Sequence, residues 1–266
     1  MKAVYKALTI AGSDSGAGAG IQADLKTFAA LGVYGTSVVT AVTAQNTKGV
    51  TQVLALKPDL VAAQIDAVVR DIGARALKTG MLANSAIIEV VVERIRKYRL
   101  QNLVVDPVMG AKGGELLLRR EALETLRSRL FPLASVVTPN LPEAYELTGI
   151  SGTGLKNIKE MARRIVDMGT GSVVIKGGHR RGPATDIFFD GKKFRELSTP
   201  RIRTPNTHGT GCTFSAAIAA NLAKGEKLET AVVQAKRYIT RAIRKGFSIG
   251  SGHSPVHHFY DFWGKS

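Results

Sequence analysis

The chain has 266 residues, with 37 Lys and Arg against 21 Asp and Glu and a formal net charge of +16. Apolar residues at 44% and charged residues at 22% exclude a disordered or fibrous protein. One cysteine, Cys212, excludes an internal disulfide and a cysteine-based zinc cluster, and makes a reducing, cytoplasmic setting the expectation.

Residues 5–11 read as a strand that runs into a glycine-rich loop over 12–20 and a helix over 21–31. Strands follow at 37–42 and 53–56. Pro58 opens a helix to about residue 72, at a position where its missing N–H costs little. A strand at 75–78 precedes a helix that Asn84 caps and that ends near Tyr98. Leu103, Val104 and Val105 in succession mark a buried strand at 102–106. Helices are expected near 120–130, 142–148 and 155–168, with a strand at 135–137 between the first two and another at 172–176. Asp190-Gly191 between apolar flanks signals a hairpin, and helices over about 212–223 and 228–245 complete the order. Strands and helices alternate over most of the length, which predicts one domain over residues 1–266 on a mostly parallel sheet with helices on both faces. No apolar run approaches the roughly 18 residues of a membrane span.

The positive charge suits an anionic partner, yet much of it closes helices. Arg94, Arg96, Lys97 and Arg99 end one helix, and Arg241, Arg244 and Lys245 end another, where cations complement the helix dipole. No RNP, zinc-finger or helix-turn-helix signature accompanies them, so a dedicated nucleic-acid partner is not expected.

In parallel sheets ligands bind beyond the carboxyl ends of the strands, and the unusual residues fall there. Gly18-x-Gly20-x-x-Ala23 fits a loose dinucleotide fingerprint, but no acid ends the next strand over residues 38–45, so a backbone passing close to a small substrate is the better reading. A Walker A sequence is absent. Thr207-His208-Gly209-Thr210-Gly211-Cys212-Thr213 enters an apolar helix, and free N–H groups with the positive dipole end make an anion site there; a buried helix start needs the same glycines. Asn140 and Glu143 can share a magnesium–water shell, or simply form a capping box. Asp106 ends a buried strand, where a carboxylate must be paired. Lys176 ends another, with phosphate or a buried acid as its partner. His253, His257 and His258 are expected to pack or lie on the surface, and Phe259, Tyr260, Phe262 and Trp263 to dock the tail on the core.

Taken together, several segments resemble the hydroxymethylpyrimidine/phosphomethylpyrimidine kinases of thiamine biosynthesis. They include Gly12-Ser13-Asp14-Ser15-Gly16-Ala17-Gly18, Thr43-Ala44-Gln45-Asn46-Thr47, Lys78-Thr79-Gly80-Met81-Leu82 and Val105-Asp106-Pro107-Val108-Met109. Thr138-Pro139-Asn140-Leu141-Pro142-Glu143, Val174-Ile175-Lys176-Gly177-Gly178-His179 and His208-Gly209-Thr210-Gly211-Cys212 extend the likeness in order over about residues 8–259. The resemblance implies a ribokinase-like three-layer α/β/α fold and two phosphoryl transfers from ATP with Mg2+, first to 4-amino-2-methyl-5-hydroxymethylpyrimidine and then to its monophosphate. It also implies a homodimer. Gln45 would read the aminopyrimidine edge, and Gly12, Asp24, Met81 and Val108 match the family's pocket positions. Lys176, Asn140 and Asp106 would serve ATP, Glu143 and Asn140 the metal shell, and Gly209, Thr210, Gly211 and Cys212 the transferred phosphoryl. Cys212 stands where the wider superfamily has Asp, which puts a thiol in the place of the general base. Gly113 replaces the family's usual small polar residue after Lys112. The runner-up is a pyridoxal kinase of the cysteine type; a basic, non-catalytic binding protein on the same fold is a third reading.

Overall fold

The computed structural model describes residues 4–110, 120–179 and 182–263. The Lys112 and Gly113 reading falls outside these residues. The strands are β1 (Lys6–Asp14), β2 (Tyr34–Gln45), β3 (Val50–Ala55), β4 (Ala76–Thr79), β5 (Leu103–Val105), β6 (Val136–Val137), β7 (Val173–Ile175), β8 (Ala184–Phe189) and β9 (Phe194–Thr199). The helices are α1 (Gly20–Ala30), α2 (Pro58–Asp71), α3 (Ser85–Lys97), α4 (Arg120–Thr125), α5 (Leu141–Thr148), α6 (Leu155–Val166), α7 (Thr210–Ala223) and α8 (Leu228–Arg244).

The nine strands among the described residues form one sheet in the order β3-β2-β1-β4-β5-β6-β7-β8-β9. The pairs from β2 through β7 are parallel, and β3, β8 and β9 add antiparallel edges. Alternation along each central strand feeds two cores. Leu8, Ile10, Leu77, Leu103 and Val105 point to the side covered by α2 to α6. Ala7, Ala76, Val104, Val136 and Val174 point to the side of α1, α7 and α8. The result is a three-layer α/β/α architecture. Helix α7 is apolar nearly all round, and every residue from Thr213 to Ala223 is buried. Its small side chains let it lie close on the sheet, as a helix buried on all sides must.

β1 is flanked by β2 on one side and β4 on the other, so successive connections leave it in opposite directions. A crevice opens at such a switch point, at the carboxyl ends of the strands. The glycine-rich loop, Asp106, Asn140 and Lys176 all follow strands at that edge.

Two elements differ from expectation. β2 is 12 residues long, because its second half stays paired with β1 to Thr43 and also pairs antiparallel with β3 along its other edge. The helix expected near 120–130 stops at Thr125 and continues as a π-helical stretch, Leu126–Leu130, and a 3-10 turn, Phe131–Leu133; the Pro132 ring cannot supply an N–H to a continuing α-helix. The hairpin at Asp190-Gly191 joins β8 to β9.

Phe28 on α1 is wholly buried between helix and sheet. Phe28→Ala should cost about 3–5 kcal/mol, read as a fall in the urea midpoint at constant slope.

Candidate active site

The C-terminal edge of the sheet holds a cavity of about 300 Å³. It is bounded by the loop after β1, the end of β2, the segment after β4, and the turns that follow β5, β6 and β7. The first turn of α7 closes it.

Two glycine-rich turns meet over it. Gly209, the N-cap of α7, sits at φ 74°, in the left-handed region. A Cβ there would stand 1.8 Å from the carbonyl oxygen of Gly18. His208 reaches across the same junction. Its Nε2 donates to Asp14 Oδ2 at 2.8 Å, and the Asp14 carboxylate also accepts the N–H groups of Gly16, Gly18 and Ala19. Burial raises the Asp14 carboxyl, but His208 and these N–H donors hold it below the usual range. Ser15 clasps the end of β2, its hydroxyl donating to Gln45 O and accepting from Gln45 N. Because His208 Nε2 gives its proton to Asp14, it has no lone pair for the Gln45 amide nitrogen 3.4 Å away. Gln45 therefore keeps amide donors for a ligand.

Helix α7 begins at Thr210, two residues before the expected start. Its first intrahelical bond runs from Thr213 N to Gly209 O, so the N–H groups of Gly211 and Cys212 lie ahead of the ladder. The N–H of Gly20 at the start of α1 faces the Cys212 thiol and favours negative charge on it. Burial pushes this thiol up to about 11, with Asp106 and Asp24 adding to the rise and Lys78 opposing it.

Asp106 pairs with Lys176 at 2.9 Å. Burial alone would lower the Lys176 ammonium, but Asp106 and Glu143 hold it above the ordinary lysine range. Lys176 is fixed by its own N–H on Pro139 O. Asn140 and Glu143 form a full capping box on α5: Asn140 Oδ1 accepts Glu143 N, and Glu143 Oε2 accepts Asn140 N. Both face the cavity. Burial pushes the Glu143 carboxyl up to about 7, Asp106 adds to this, and Lys176 opposes it.

Of the expected residues, Gly12, Gln45, Met81, Asp106, Val108, Asn140, Glu143, Lys176 and residues 209–212 line the cavity. Asp24 does not. Its side chain is wholly buried on α1 and accepts from Lys78 Nζ at 2.9 Å and from Thr9 Oγ1 at 2.6 Å. The side of α1 that packs on the sheet carries it behind the pocket wall. Lys78, Asp14, Thr43 and His208 line the cavity without having been singled out. Lys78 was legible as the one charged residue in a strand of otherwise buried type. The Asp14–His208 bond, joining residues 194 apart, left no sequence signal. A second cavity shares Lys176, Gly178, Thr207 and Thr210 with the first and is walled by Phe214, Ile239 and Ile243. Part of its wall comes from α7 and α8, whose apolar residues read in sequence as core, and part from β8 and the end of β9.

In the tail, His258 is buried against Thr213, and burial pushes it down to about 3; His257 packs edge-on against Phe247. Tyr260 packs on Tyr238, but Phe262 and Trp263 stay exposed; they follow the last pairing to the core and stack chiefly on other tail rings.

A family model for phosphomethylpyrimidine kinase matches residues 14–257. The chain belongs to the phosphomethylpyrimidine kinase family. It is 50% identical over 258 residues to the hydroxymethylpyrimidine/phosphomethylpyrimidine kinase of Bacillus subtilis, covering 96% of this chain and 95% of that protein. It is 52% identical to the thiamine biosynthesis bifunctional protein ThiED of Geobacter sulfurreducens, of which it spans 51%. Among solved structures, the ADP complex of a Bacillus subtilis pyridoxal kinase superposes with a TM-score of 0.90 at 42% identity, over 96% of this chain and 98% of that one. The fold is therefore ribokinase-like.

Gly209→Ala should force the two turns apart and cut phosphoryl-transfer activity by more than about tenfold, because the helix start carries the donors. Steady-state rates with a melting curve on the same sample check it. Parental activity would show that the turns need not touch.

Proposed function

We propose that this chain transfers the γ-phosphoryl of ATP to the hydroxymethyl oxygen of 4-amino-2-methyl-5-hydroxymethylpyrimidine, and a second one to the resulting monophosphate, in thiamine biosynthesis. The observation that carries the reading is one cavity lined both by an amide reader, Gln45, and by a helix start, and joined to a second cavity through Lys176. The curated relatives' names support the same substrate. We read residues 1–266 as one kinase domain, supported by a single sheet with strands from Lys6 to Thr199.

Phosphoryl transfer is mostly positioning and charge stabilisation. The nucleotide base fits the apolar second cavity, and its phosphates run past Lys176 to the start of α7. Met81 and Val108 flank the flat ring, Gly12 lets the backbone approach it, and Gln45 pairs with its amine and ring nitrogen. As the hydroxymethyl oxygen attacks the γ-phosphorus, its proton passes to the thiolate form of Cys212 and ADP leaves. The N–H groups of Gly211 and Cys212, with Thr210 and Gly209 shaping the turn, hold the charge on the transferred group.

Magnesium fits the donor set. Glu143 spends only Oε2 on the capping box, and a buried carboxyl at about 7 gains from a cation beside it. Glu143, Asn140 and Asp106 would hold the ion through its water shell, and it would neutralise phosphate charge. The free thiol at the centre of the site suits a reducing cytoplasm. A homodimer belongs to this reading, supported by exposed Val42, Val53 and Leu54 on the β2–β3 edge. The fit to a pyridoxal kinase keeps pyridoxal as a second substrate to assay beside the pyrimidine.

Mass spectrometry of products from ATP, magnesium and hydroxymethylpyrimidine should show monophosphate and then diphosphate; turnover with pyridoxal alone would transfer the assignment. Gln45→Ala should leave substrate polar edges unpaired and raise the pyrimidine KM about 5- to 150-fold, with the ATP KM little changed. A thiol near 11 is mostly protonated at neutral pH, so kcat should climb between pH 6 and 9 as the thiolate fraction grows. Cys212→Ala should lower kcat by about 10²–10⁴ and flatten that climb. A parental kcat in the alanine variant would leave Cys212 as part of the anion-binding turn alone.

A further inference from the structure

Asp24 and Lys78 form an ion pair with no exposed side-chain surface at all. It sits on the α1 and α7 side of the sheet, since Leu77 fills the opposite core and Lys78 alternates away from it. The lysine has no exposed surface, yet it borders the first cavity from behind the wall, near the starts of α1 and α7. An ammonium beside two positive helix ends is poorly placed unless an anion comes to it. The fixed anion present is Asp24, and Asp24 is only half committed: Oδ2 takes both Lys78 and Thr9, while Oδ1 is buried without a partner. Buried pairs of this kind add little to stability compared with apolar packing, so a structural role alone explains the arrangement poorly. The chain is also shaped around the lysine. A Cβ on Gly80 would stand 2.8 Å from Lys78 Nζ.

The two lysines of the site divide the space. Lys176 lines both cavities, as a residue serving the phosphates between nucleotide and acceptor should. Lys78 lines only the first. We propose that Lys78, held by Asp24, is a second cation of the site that acts on Cys212 from behind the cavity wall, so that both are positioning residues for the thiol. This rests on the phosphoryl-transfer reading of the cavity. The charged groups facing Cys212 are Lys78 from β4, Asp24 from α1, Asp106 after β5 and Lys176 after β7, with the Gly20 N–H from α1. Lys78 favours negative charge at the sulfur; Asp24 and Asp106 disfavour it.

That opposition supplies the test, because Cys212 is the chain's one cysteine and its alkylation reports on it alone. Lys78→Met should lower kcat about 100-fold while changing the ATP KM less than about threefold. In the substrate-free protein, iodoacetamide at pH 8.5 should alkylate Cys212 more slowly in Lys78→Met and faster in Asp24→Asn, because the two changes remove opposite charges from beside the thiol. A packing defect that merely opened the site would speed both. If Lys78→Met fails to fold, the double variant Asp24→Asn/Lys78→Met removes both buried charges and is assayed in its place; its kcat should stay about 100-fold down. A kcat within about threefold of the parent in either lysine variant, or alkylation moving the same way in both single variants, overturns the proposal. The alkylation arm uses no substrate, so it still reads the lysine if the pyrimidine assignment fails.

Discussion

Two helices begin at one place, and a helix start is only half hydrogen-bonded. The N–H of Gly20 at the head of α1 and those of Gly211 and Cys212 at the head of α7 converge on the same cavity wall. This convergence is possible only because the turns feeding the helices carry no side chains where they touch, at Gly18 and Gly209. Everything else at the site responds to that pooled positive potential. Asp14 spends its carboxylate on the loop that leads into α1. Asp24 and Asp106 lie beneath, each matched to a lysine.

The sheet supplies the frame for this arrangement by a simple economy. Six parallel strands end on one edge, and each contributes residues at or just past its carboxyl end. α7 lies against the middle of that sheet with a run of buried small side chains, so its N-terminus has little freedom to shift. A site made this way needs few residues from any one segment, and its parts are distant in sequence.

That distance explains what was legible beforehand. Strand and helix order followed from periodicity and glycine placement, and Asn84 was read as a cap because its side chain serves Ile87 N locally. Lys176 was identifiable because it ends a buried run, the turn over 209–212 because its glycines open one, and Gln45 through the family resemblance. The capping box of Asn140 and Glu143 was equally visible, since it is local; that both also face the cavity is a matter of tertiary placement. Asp24 was misplaced for the same reason. Its position on α1 is a matter of helical phase, and only the packed helix shows that phase turning it toward Lys78 instead of the cavity. His208 with Asp14, and the second cavity that α7, α8, β8 and β9 enclose together, depend wholly on long-range packing.

The strap over residues 252–258 carries a consequence of its own. His208 N donates to Ser254 O and Val256 N to His208 O, while Gly252 and His253 pair with Thr47 and His258 with Thr213. The junction of the two glycine turns is thus braced by a segment that lines no part of the cavity itself. A change confined to this strap can loosen the cavity wall while leaving every lining residue in place, so the order of the wall is set partly by residues that never meet its contents.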